Sequence, residues 1–159
     1  MEYIHYGHKH FDKNLFEKVM NRNDCFTKPL GGLWASRVGA EYGWKEWVND
    51  QNFRLDKYTE GNYFKFKLKD NARVLIIDNS KILDKLPKNK ANIINISSWC
   101  SLDFEELSKK YDAIEVLIND EEFENFDGLY WKLYGWDCDS ILIMNKNAVE
   151  EIKEERKWL

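Results

Sequence analysis

Lys28 to Trp47, K-P-L-G-G-L-W-A-S-R-V-G-A-E-Y-G-W-K-E-W, concentrates backbone punctuation and aromatic surface in one stretch. Pro29, Gly31 and Gly32 lead into Leu33-Trp34-Ala35-Ser36, which reads as a short strand, and Gly39 and Gly43 interrupt the chain again before Trp44 and Trp47 open a helix. Paired glycines permit positive φ or the close approach of another group, and the flanking aromatics supply flat apolar faces. Two readings fit: a pocket for a planar ligand, or a tight turn feeding a strand whose tryptophans belong to the core.

Outward from this stretch, the chain alternates short strands with short helices. Met1 to Tyr6 is predicted as a strand ended by Gly7, with His8 to His10 as a polar loop. Phe11, Leu15, Phe16 and Val19 recur at helical spacing and predict an amphipathic helix over Phe11 to Met20. Trp44 to Phe53 is predicted to continue as a helix. Tyr63 to Lys69 alternates apolar residues with lysine, as a half-buried strand does. After the Asp70-Asn71 turn signal, Ala72 to Ile77 is expected to return as its hairpin partner.

Ser80 is expected to cap a short helix that Pro87 stops, and Ser101 to cap one over Leu102 to Tyr111. Asn92 to Ile96 reads as a weak strand or extended loop, and Asp112 to Asn119 as a strand. Gly128 to Gly135 fits either state. Ser140 to Asn145 is expected to be a buried strand, and the charged tail from Ala148 to Leu159 a helix. No repeat or low-complexity linker divides residues 1–159, so a single α+β domain is expected, its central sheet covered by short helices.

Composition narrows the function. Charged residues make up 33% of the 159, with a net charge of −4, so no basic footprint points to nucleic acid. Cys25, Cys100 and Cys138 are widely spaced and form no metal-ligand pattern, which fits a reduced, cytoplasmic protein without structural zinc. No apolar run matches a signal peptide or a membrane span. The acidic run from Asp120 to Asp127 lacks the glycine alternation of a calcium loop and reads as a solvated connector. Hydrolase-elbow, phosphate-loop and dinucleotide-fold motifs are missing.

Asp137-x-Asp139 is the plainest candidate for chemistry. Alternation puts both carboxylates on one side, at the mouth of the most apolar strand and beside Trp136. They read either as an acid, a base or a group facing a developing cation, or as two aspartates that end a turn. His5 is the one histidine inside a predicted element, and it fits either a structural or a ligand-contacting role.

The order of these pieces resembles the ADP-ribosyltransferase fold: a first strand carrying H-Y-G, a second carrying L-W-A-S before an aromatic helix, and a late strand opened by an acidic residue. Y-D-A-I at Tyr111 to Ile114 and D-S-I-L-I-M-N-K-N-A-V from Asp139 are similar to the closing strands of some phage and bacterial members. The resemblance implies a split, mixed antiparallel sheet that binds NAD as a substrate and uses no metal. It assigns His5, Tyr6 and Gly7 to the nicotinamide end, Trp34, Tyr42 and Trp44 to stacking, and Ser36 to the ribose. Asp139 would stabilise the ribosyl cation and Asp137 would orient the acceptor.

The implied reaction releases nicotinamide and transfers ADP-ribose to a protein or small-molecule acceptor, or to water in a glycohydrolase. The sequence departs from the family in two places. Aspartate replaces the usual glutamate, one methylene shorter, and Tyr6 rather than histidine precedes Gly7. A non-catalytic nucleotide- or partner-binding module of a phage–bacterial conflict system is the alternative, as is a purely structural role for the aromatics. A toxin would be expected to kill an expression host. A related RNA 2′-phosphotransferase would need an arginine set that Arg22, Arg37, Arg54, Arg73 and Arg156 do not form.

Overall fold

The computed structural model describes residues 1–24, 26–53, 61–91, 99–118 and 124–153. The strands are β1 (Glu2–Tyr6), β2 (Leu33–Arg37), β3 (Tyr63–Leu68), β4 (Val74–Ile77), β5 (Ala113–Val116), β6 (Ser140–Ile143) and β7 (Val149–Glu151). The helices α1 (Trp44–Asp50), α2 (Phe104–Lys110) and α3 (Leu129–Lys132) are short, and 3₁₀ turns span Ser80–Lys85 and Lys146–Ala148. The protein is a single-domain α+β fold. Its mixed sheet runs β4-β5-β6-β2-β1-β3-β7, with β4 and β5 parallel and the other neighbours antiparallel.

The sheet divides two cores. Ile77, Ile114, Val116 and Leu142 face one side, where Leu83, Phe104, Leu107, Leu129 and Trp136 cover them from the helices and loops. Tyr3, Ala35, Phe64, Phe66, Ile141 and Ile143 form the other core. Alternate residues along β6 thus serve opposite cores, as the pleat requires.

The expected hairpin of β3 and β4 does not form. Both edges of β3 are occupied, by β1 and β7, and β4 pairs with β5 at the far end of the sheet. In a flat sheet five strand spacings would separate β3 from β4 by about 24 Å. The connection from Leu68 to Val74 reaches only about 20 Å. The sheet is therefore curled, and Leu68 and Val74 both pack on the second core.

No helix forms over Phe11 to Met20. The Asp12 carboxylate takes the Asn14 N–H at 2.8 Å, a local turn that competes with helix formation. Val19 then enters the first core while Phe11 and Phe16 pack on the second, and Leu15 is 70% exposed. Met20 instead exchanges backbone hydrogen bonds with Leu30.

Other boundaries shift. Asp103, not Ser101, caps α2, its carboxylate accepting from Glu106 N at 3.0 Å. The segment after Ser80 is 3₁₀ rather than α, with Asn79 at its cap, and α1 stops at Asp50. The beginning of the supposed tail helix is strand β7, because Val149 to Glu151 pair with Phe66 to Leu68. Within the ambiguous Gly128 to Gly135, α3 forms. Asn92 to Ile96, part of the acidic connector and the tail beyond Lys153 lie outside the described residues. Among the described residues no helix is long and apolar enough to cross a membrane.

Candidate functional site

Gly31 and Gly32 set the approach to β2. Their φ values are +71° and +73°, and both are closely packed: a Cβ on Gly31 would strike the Lys18 carbonyl, and one on Gly32 the Leu142 side chain and the Ile143 carbonyl. Both properties expected of the glycine pair are thus in use, and they deliver Leu33 and Trp34 alongside β1.

There the sheet opens. β1 runs beside β3 through five residue pairs, but it pairs with β2 only at Tyr3↔Arg37 and Ile4↔Ser36. Where the ladder ends, His5 Nδ1 donates to the Trp34 carbonyl oxygen at 2.7 Å. A cleft of about 410 Å³ occupies the opening, with His5, Tyr6, Trp34, Trp44, Phe11 and Phe64 among its walls. Trp44 stacks on Trp47 with ring centres 4.9 Å apart, and Phe64 lies 5.1 Å from the His5 ring.

The histidine geometry fixes protons. A carbonyl oxygen only accepts, so Nδ1 of His5 carries hydrogen. Burial holds the His5 imidazole below its usual range despite the bond to Trp34, so Nε2 keeps a lone pair. His8 Nδ1 lies 3.0 Å from that Nε2 and must be the donor. The two rings stack, with centres 5.3 Å apart.

The expected site residues do not all meet. Tyr6 lines the cleft, its phenol pushed up first by burial and then by Glu46, so it stays protonated. Gly7 provides the turn after β1 at φ +111°, its N–H bound to Asn62 O at 2.8 Å, rather than a cleft wall. Ser36 is 2% exposed. Its hydroxyl donates to Asp139 O at 2.8 Å and accepts from Trp44 N at 2.9 Å, which pins β2 to α1 and β6 and leaves it no route to a ribose.

Asp137, Asp139 and Tyr42 line a second cavity, of about 940 Å³. Alternation sets this division: Asp137 and Asp139 face that cavity, while Cys138 and Ser140 face the cleft. Asp139 Oδ1 accepts from Ile118 N at 2.7 Å, and burial still pushes its carboxyl above the ordinary range. Tyr42 is pushed up to about 12 by burial and by its hydrogen bond to Asp50. The charge of Asp137 also acts on the Lys28 ammonium of the cleft, although its side chain lines the other cavity.

Sequence reasoning missed Lys28, Cys138 and His8 in the cleft walls. Lys28 opens the stretch first quoted, but no motif marks it. Its Nζ lies 4.9 Å from the centre of the Trp34 ring, a cation–π contact. Burial pushes the Cys138 thiol up to about 12, so it remains uncharged. Among the described residues no three His, Cys, Asp or Glu side chains gather as metal ligands would. No protein-family profile matches the chain, nor does any curated protein or solved structure.

Proposed function

We propose that the chain cleaves the nicotinamide–ribose bond of NAD and passes ADP-ribose to an acceptor, as a mono-ADP-ribosyltransferase or, with water, a glycohydrolase. The observation that carries this reading is the opening of the sheet between β1 and β2 into an aromatic-walled cleft at His5 and Trp34. A nicotinamide ring suits those flat walls.

In this reaction the C1′–N bond breaks with its electron pair leaving on nicotinamide. An acceptor O–H or N–H then attacks C1′ and loses its proton. Asp137 is the carboxylate assigned to balance the developing ribosyl cation; it lines the neighbouring cavity and reaches the cleft through its field, which also acts on Lys28. Asp139 is the weaker candidate because its carboxylate is held by Ile118 N–H.

A second reading, a nucleotide-binding module without catalysis, has its own support: both aspartates line the other cavity. The experiment is nicotinamide release from NAD in the presence of cell lysate, with NAD affinity measured in parallel by calorimetry. Release abolished by Asp137→Asn supports the transferase; NAD binding without release supports the binding module. Neither binding nor release would overturn both.

A further inference from the structure

The ammonium of Lys28 is set into a mostly apolar wall. It lines the cleft beside Trp34 and Cys138, and the Trp34 ring 4.9 Å away is its close partner. No ion pair joins it to a carboxylate among the described residues; Asp137 acts on it only through its field. The neighbouring thiol gives no counter-charge, because burial keeps Cys138 protonated. Burial also pulls the Lys28 pKa down, the mark of an ammonium that has given up water without gaining a matched anion. Such a group gains most from a ligand that brings the missing negative charge.

We propose that Lys28 is the anion-binding pole of the cleft, so that its ligand joins a flat aromatic ring to a nearby phosphate or carboxylate. The ring lies between the β1 and β2 walls, and the anion meets Nζ at the Trp34 end. The assignment rests on the cleft being the ligand site. Within the NAD reading it places the nicotinamide-side phosphate at Lys28.

Two probe pairs test it by calorimetry, each differing only in the anion: nicotinamide mononucleotide against nicotinamide riboside, and anilinonaphthalene sulfonate against its uncharged parent. In the wild type the anionic member of a bound pair is expected to bind about tenfold more tightly at low salt. Lys28→Met is expected to erase that preference while leaving the member without the anion within about twofold, and Lys28→Arg to restore part of it. A circular dichroism melt confirms that each variant is folded. A Lys28-dependent preference in the naphthalene pair alone supports the anion pole while removing the NAD reading. A preference that survives Lys28→Met, its absence from both pairs, or an equal loss for both members of a pair overturns the proposal.

Discussion

His5 Nδ1 bonds the Trp34 carbonyl at 2.7 Å just where the β1–β2 ladder stops. A side chain thereby replaces a rung of main-chain pairing, which holds the two strands in register while leaving a cleft between them. Removing it in His5→Ala leaves a half-buried carbonyl without its donor, at a cost of about 1–2 kcal/mol. Urea unfolding of the two proteins at pH 7 measures this.

The same contact predicts a pH response. Burial lowers the folded-state pKa of His5 below the usual 6.5, so the unfolded chain binds its proton first as pH falls. The penalty is absent above 6.5 and grows as pH drops toward the folded value. The ¹⁵N shifts of His5 are expected to show a neutral ring protonated on Nδ1 at pH 6.5. A ring half charged or more at that pH would contradict the account.

Gly32 and Gly39 separate two effects of glycine. Both have positive φ, +73° and +77°, but a Cβ on Gly32 meets Leu142 and Ile143 while one on Gly39 meets nothing within 4 Å. Gly39→Ala is expected to cost about 1 kcal/mol from backbone conformation alone. Gly32→Ala adds a collision and is expected to cost at least about 2 kcal/mol. Equal midpoints in urea would refute the packing argument.

Asp112 ties three strands together at one end. Its carboxylate accepts from Arg73 N and Nε at 2.9 and 3.2 Å and from Asn145 Nδ2 at 2.8 Å. The Arg73 guanidinium, above all, holds its pKa at about 2 rather than 3.8. Its stabilisation is complete above the unfolded value and is lost as pH falls from about 4 toward 2. Asp112→Asn is expected to cost about 1–3 kcal/mol at pH 7, a difference that shrinks steadily as acid titrates the wild type through that window.

Asp139 has the opposite sign. Burial raises its carboxyl, so ionisation costs folding energy above the folded pKa, and the cost vanishes below the unfolded one. An asparagine keeps an oxygen for Ile118 N–H without the charge. Asp139→Asn is expected to raise the melting temperature at pH 7 and to lose that advantage at pH 3; a lower melting temperature at pH 7 would show the charge to be stabilising.

These relationships were unequally legible in the sequence. The lysine alternation of Tyr63 to Lys69 and the apolar run after Ser140 report local burial, so β3 and β6 were readable. Pairing was not, because nothing in β3 shows that β1 and β7 take both its edges. Phe11, Phe16 and Val19 mimic a helix stripe although they serve two different cores.

At the site, His5 and Trp34 were readable as strand residues, and the period of two put Asp137 and Asp139 on one side. Which side depends on the sheet around β6, and there the expected single constellation divides. Lys28 has no pattern at all; the curl of the chain through Gly31 and Gly32 brings its ammonium over Trp34.

The central claim is that the opening between β1 and β2 is the ligand site, and a crystal structure with NAD at millimolar concentration tests it most directly. Density for the nicotinamide ring is expected in the cleft that His5 and Trp34 help to wall. A ring seated instead beside Tyr42 and Asp139, or no ligand density in either cavity, would contradict it.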